Sequence, residues 1–112
     1  MKLTELKPQF VKYEPVEGRH GWRYTDDLAA ADGIKYLCPK CWIANSGPVG
    51  THMIISCQPG KVPDDFLGPG RWHLRGTSYD DLSLVGVTSD SVLLLCGCGA
   101  HFFVRAGQIE MC

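Results

Sequence analysis

Two short segments of this chain carry side chains that could do chemistry together. Cys38-Pro39-Lys40-Cys41 is a pair of cysteines with two residues between them, and Cys98-Gly99-Ala100-His101 repeats that spacing with a histidine as the second member. Two intervening residues let a tight turn aim both side chains at one ion, at about 2.3 Å from each sulfur. Three thiolates and an imidazole form the soft, tetrahedral set that structural zinc prefers. Gly97 and Gly99 flank Cys98, and glycine relaxes the backbone where it must wrap an ion. Cys38, Cys41, Cys98 and His101 are therefore the expected ligands of one structural zinc. Cys96 is the rival to Cys98 or His101, because residues two apart on an extended strand face the same side. Its spacing to His101 does not reproduce the first pair.

The other candidates for chemistry are weaker. Cys57 ends an apolar run and has no partner at ligand spacing, so it reads as a buried thiol. Cys112 has no partner at ligand spacing and takes no part in the expected site. A catalytic zinc would need an open coordination position and a nearby acid or base. No His-x-Glu and no His-Glu-x-x-His occurs. Asp80 and Asp81 are the only carboxylates that suggest a general base, and they keep a metal-dependent hydrolase as the alternative. A redox dithiol would place Cys38-x2-Cys41 after a strand and at the start of a helix in a βαβ unit. The following Trp42-Ile43-Ala44-Asn45-Ser46-Gly47 is a poor helix by composition. His73 reads as part of a solvated strand face. His52 and Cys57 are an odd separation apart and would sit on opposite faces of one strand.

The balance of charge narrows the partners. Net charge is −1, and after Cys41 four basic residues (Lys61, Arg71, Arg75, Arg105) face six acidic ones (Asp64, Asp65, Asp80, Asp81, Asp90, Glu110). A nucleic-acid binder would show a basic patch or stripe, so a zinc ribbon that binds nucleic acid ranks below a module that binds another protein. Trp22, Trp42 and Trp72 are residues of the kind favoured in interface cores. Residues 1–10 hold no apolar core of signal-peptide length, and no apolar run is long enough to cross a bilayer. The cytoplasm is the expected compartment, where paired cysteines signal metal rather than disulfides.

Elements that position these residues follow from punctuation and periodicity. The chain of 112 residues is long enough for one domain with a modest core. Residues 1–24 read as an N-terminal arm with a possible strand at 9–13. Residues 25–112 read as a single zinc-binding, β-rich domain. Residues 25–33 predict a short helix, with Thr25 as N-cap and Gly33 at its end. Residues 34–38 predict a strand into the first cysteine pair, and 52–57, 72–75, 82–87 and 92–96 predict further strands. Residues 58–70, with three prolines and three glycines among them, predict a loop. Residues 101–105 and 108–111 predict a hairpin around Ala106-Gly107. The expected fold is mostly β, a small α+β domain: antiparallel, with zinc-ribbon-like knuckles and one or two short helices.

The second half resembles a family of small metal-binding proteins of bacteria and their phages, catalogued as domain of unknown function 6527. The resemblance rests on Tyr36-Leu37-Cys38-Pro39-Lys40-Cys41, on the tryptophan-led Trp72-His73-Leu74-Arg75-Gly76-Thr77, and on Cys98-Gly99-Ala100-His101-Phe102-Phe103 with its closing glycine hairpin. It covers about residues 33–112. It implies a metal-binding fold and favours Cys98 and His101 over Cys96. The family often carries a denser Cys-Gly-Cys-Gly run at the first pair, where this chain has Lys40 and Trp42. It also tends to have a Pro-Ser pair after the tryptophan strand, where this chain has Thr88-Ser89. The resemblance implies no activity.

Overall fold

A computed structural model describes residues 1–95 and 97–112. Among these, nine short strands, one α-helix and two 3-10 turns form three antiparallel sheets. The mostly β, antiparallel architecture expected from the sequence is the one observed. The first sheet has the order β2-β1-β3-β4 and is built from β1 (Gln9–Tyr13), β2 (Trp22–Thr25), β3 (Gly33–Leu37) and β4 (Met53–Cys57). β5 (Trp72–Arg75) and β6 (Ser83–Gly86) pair as a hairpin. β7 (Val92–Leu93), β8 (His101–Arg105) and β9 (Gln108–Met111) form the third sheet, in that order.

All three sheets contribute to one core. Ile34 and Tyr36 come from β3, Leu74 and Leu84 from the β5–β6 hairpin, and Phe102 and Val104 from β8. Tyr36 and Phe102 meet edge to face, with centroids 6.1 Å apart. Burying each such side chain contributes about 1.5–3 kcal/mol. The Tyr36 hydroxyl reaches Ser56 Oγ on β4 at 2.8 Å, so its polar end is satisfied inside the core.

Residues 1–24, expected as an arm with one strand, supply two strands and part of the core. Leu3 and Leu6, on a 3-10 turn (Leu3–Leu6), are buried. The Leu3 amide donates to Gly107 O at 2.9 Å, and the Ile109 amide to Met1 O at 2.8 Å.

Three elements differ from expectation, each for a local reason. The helix expected at 25–33 is a 3-10 turn, Leu28–Ala30, capped by the Asp27 carboxylate on the Ala29 amide at 3.0 Å. It cannot lengthen, because Asp32 is drawn onto β1: its amide donates to Val11 O and its carboxylate accepts from the Tyr13 amide, both at 2.8 Å. Gly33 then opens β3 instead of closing a helix. Conversely, Pro39–Asn45 forms a helix, α1, where composition predicts a poor one. Pro39 at the first position is pre-organised for helix, Ser46 closes the end in the left-handed region, and Trp42 packs on the core. A helix this short depends on tertiary packing rather than propensity. Finally, the strand expected over 92–96 ends at Leu93; Cys96 lies outside the described residues.

No helix among the described residues is long and apolar enough to cross a membrane.

Candidate metal centre

The ends of three segments converge at one edge of the fold. β3 runs into Cys38, which is fully buried. The Trp42 amide donates to Cys38 O at 2.9 Å, opening α1. Cys41 follows three residues later, so both thiols sit on the first turn of α1 and face one way. Opposite, the ladder between β3 and β4 pairs Leu37 with Met53. One step further the Cys38 amide donates to His52 O at 2.9 Å, which seats the His52 side chain beside the cysteine pair. The third segment is the connection from β7 to β8, pinched by the Leu94 amide on Ala100 O at 2.9 Å. It carries Cys98 between Gly97 and Gly99, both in the left-handed region with φ +74° and +67°. The Lys40 ammonium donates to Cys98 O at 2.7 Å and ties this connection to α1.

Cys38, Cys41, His52 and Cys98 thereby bring three sulfurs and an imidazole nitrogen within 4.8 Å of one another. Cys38 Sγ and Cys98 Sγ are 3.6 Å apart, and His52 Nε2 lies 3.4 Å from Cys98 Sγ. Around a tetrahedral zinc with ordinary bond lengths, sulfur–sulfur edges are about 3.8 Å and sulfur–nitrogen edges about 3.6 Å. The Cys38–Cys98 and His52–Cys98 edges lie close to those figures, so this group of side chains could hold a metal ion.

Electrostatics divides the two close thiols. Burial pushes Cys38 up to about 12, and the neighbouring Cys98 and Cys41 sulfurs add to the rise. At Cys98 burial works in the same upward direction, but hydrogen bonds from His52, from the Ala100 amide and from the Cys38 and Cys41 thiols outweigh it and bring the group down to about 6. At neutral pH the thiolate is on Cys98, with Cys38 holding its proton towards it. A divalent cation at the centre would remove the penalty for a second and third thiolate.

Three of the four expected ligands, Cys38, Cys41 and Cys98, are brought together, and the imidazole beside them is that of His52. His101 is outside the four-residue group. It opens β8 opposite Leu93, and its carbonyl accepts from the Cys112 amide at 3.0 Å. The chain is therefore already extended at the point where the Cys-x2-His spacing asks for a turn. His101 still lines the cleft that Cys98 and His52 border. The signal for His52 was present in the sequence: pairing residues 34–38 with 52–57 in antiparallel order sets His52 across from Cys38. Cys57 is buried and outside the group, and burial pushes its thiol up to about 11. The cysteine pair does follow a strand and open a helix, but β3 and β4 run antiparallel, so this is no βαβ redox unit. The five described cysteines are free thiols.

Asp81, one of the two carboxylates that suggest a general base, is engaged elsewhere. It accepts from the Thr77 amide, the Thr77 hydroxyl and the Ser78 amide at 2.8 to 2.9 Å. Those bonds hold its carboxyl below the ordinary carboxylate range.

Compared with protein-family models, with curated proteins and with solved structures, the chain matches none of them.

Proposed function

We propose that this chain is a small zinc-binding module that contacts another protein, with Cys38, Cys41, His52 and Cys98 as the ligands of one structural zinc. The observation that carries the reading is the convergence of three thiols and an imidazole, within 4.8 Å of one another, from three separate segments. Soft sulfur donors with one imidazole favour zinc over harder divalent ions. Four protein donors fill a tetrahedral shell, which is the pattern of a structural rather than a catalytic site. A hydrolase would need a vacant position and a base, and Asp81 is committed to its own turn. Net charge of −1 leaves little electrostatic drive towards nucleic acid. The paired cysteines favour a cytoplasmic setting, and the resemblance to domain of unknown function 6527 suggests a bacterium or a phage-infected cell.

The test is elemental analysis of the purified chain with a thermal melt before and after chelation. About one zinc per chain is expected, with a melting temperature that falls by many degrees on its removal, because the ion joins segments distant in sequence. Absence of metal, or an unchanged melt after verified removal, would sink the reading. A salt-titrated binding assay with single- and double-stranded probes completes it: submicromolar, steeply salt-dependent binding would move the module to the nucleic-acid class.

A further inference from the structure

A cleft of about 1170 Å³ runs from the metal centre between the first and third sheets. Two strand edges border it. On one side every residue of 52–56 lines it, and on the other every residue of 91–95. Side chains of a strand alternate between faces, so a continuous run along a cleft means that the backbone edge itself faces it.

The hydrogen-bonding pattern agrees. In an antiparallel ladder, directly opposed residues alternate between bonded and non-bonded pairs. The amide of Cys38 donates to His52 O, and the amide of Gln58 to Asp32 O. Counting inwards from both ends of the ladder, Tyr36–Ile54 and Ile34–Ser56 are the bonded pairs, and Lys35–Ile55 is non-bonded. The Ile55 N–H and C=O therefore point away from β3, and they have no partner among the described residues. On the third sheet the Leu94 amide donates to Ala100 O, which makes Leu93–His101 a non-bonded pair. The Leu93 N–H and C=O point away from β8 in the same manner. Two open strand edges thus border one cleft.

The lining states the chemistry of an occupant. It contains no acidic residue and no lysine among the described residues. Its one arginine, Arg71, spends its guanidinium on four carbonyls, those of Gly68, Gly70, Pro63 and Phe66. Leu93 and Met53 stand 49% and 41% exposed on the two edges. The length of β4, about 17 Å for five residues, asks for an extended chain rather than a compact small molecule.

We propose that the cleft receives an extended, uncharged apolar peptide segment of a partner protein, which adds as a strand along β4 and joins the first and third sheets. This deepens the reading of the chain as an interaction module: backbone bonds to Ile55 and Leu93 provide affinity, and apolar side chains on alternate positions provide selectivity. An edge strand left open is otherwise a liability for aggregation.

The test pans a displayed library of random heptapeptides on the full chain supplied with one equivalent of zinc. Enrichment of uncharged peptides rich in β-branched and aromatic residues is expected. A synthetic copy of the best sequence should lose at least tenfold in affinity when alternate backbone amides are N-methylated in one register, and far less in the other. Ile55→Pro should cost a similar factor, since it removes a donor facing the cleft and no ladder bond. Should that variant fail to fold, Leu93→Glu, at a half-exposed position, decides the matter. No enrichment, or a peptide indifferent to N-methylation and to the variants, overturns the proposal. So does a homodimer by sedimentation velocity that Ile55→Pro dissolves, because the edge would then belong to a second copy. Zinc content measured on the same samples separates the two readings: peptide binding without zinc defeats the structural-zinc reading alone, and zinc without peptide binding defeats this one alone.

Discussion

The backbone amide of Cys38 donates to the carbonyl of His52 at 2.9 Å, and this single bond seats the imidazole beside a cysteine pair that lies more than ten residues earlier in the sequence. It is the last rung of the ladder between β3 and β4. The register that buries Ile34 and Tyr36 therefore also fixes the imidazole beside the thiols. A slip of one residue would turn His52 to the other face.

Replacing His52 by alanine is expected to weaken zinc retention by at least tenfold in a competition titration with a chelating dye. Replacing His101 by alanine should leave it within a factor of about two. The reverse order would return His101 to the ligand set and assign His52 to the cleft wall.

The grouping of the three cysteines was legible in the sequence because their spacing is local. Cys38 and Cys41 lie on one turn, and their spacing brings both thiols to one face. Cys98 is marked by the glycines on either side. His52 is not local: its role comes from strand pairing, which spacing within a segment cannot display. The fold class was legible from the alternation of short apolar runs with glycine- and proline-rich turns. The helix α1 was hidden because Pro39 and tertiary packing of Trp42 outweigh a weak intrinsic propensity. The helix expected over 25–33 is cut to the 3-10 turn Leu28–Ala30 because the hold of Asp32 on β1 is a contact between distant residues, which local sequence does not display.

Within the core, Ser56 is the only buried polar side chain among the described residues, and it serves Tyr36. Ser56→Ala leaves the Tyr36 hydroxyl without a partner in a site whose burial already raises its pKa. A loss of about 1–3 kcal/mol in urea unfolding is expected. Adding Tyr36→Phe should recover part of that loss, since both polar groups are then gone. A double variant less stable than the sum of the two single ones would mean that the pair does not act as a unit.

The turn between β8 and β9 depends on Gly107. Its φ is +75°, and a Cβ there would come within 2.0 Å of Asp80 O. Its own amide and carbonyl bind Leu82 O and the Leu3 amide, so this turn fastens the N-terminal segment to the third sheet. Gly107→Ala should cost about 2–5 kcal/mol, combining left-handed strain with overpacking. Gly18 shares the same φ with open space around it. Gly18→Ala should therefore cost only the strain, about 1 kcal/mol. Equal losses in the two variants would show that the contact with Asp80 relaxes freely.

Acid should strip the metal in a manner set by the two close thiols. Zinc requires thiolates, so binding displaces whatever protons the ligands hold. Cys38, pushed up to about 12 by burial, is protonated in the metal-free centre throughout the neutral range and must give up that proton. Cys98, brought down to about 6, is already a thiolate at neutral pH and adds no proton there. Below about pH 6 it becomes protonated, and one more proton must leave for each zinc bound. The apparent affinity should therefore fall as pH falls, and the slope of its logarithm against pH should steepen by at least one unit on crossing pH 6, since the His52 imidazole must also be neutral to bind. Chelator competition between pH 5 and pH 8 reads the slope directly. A constant slope across that range would mean that the Cys98 thiol is not held ionised by His52 and its neighbours, and that the two close thiols titrate alike.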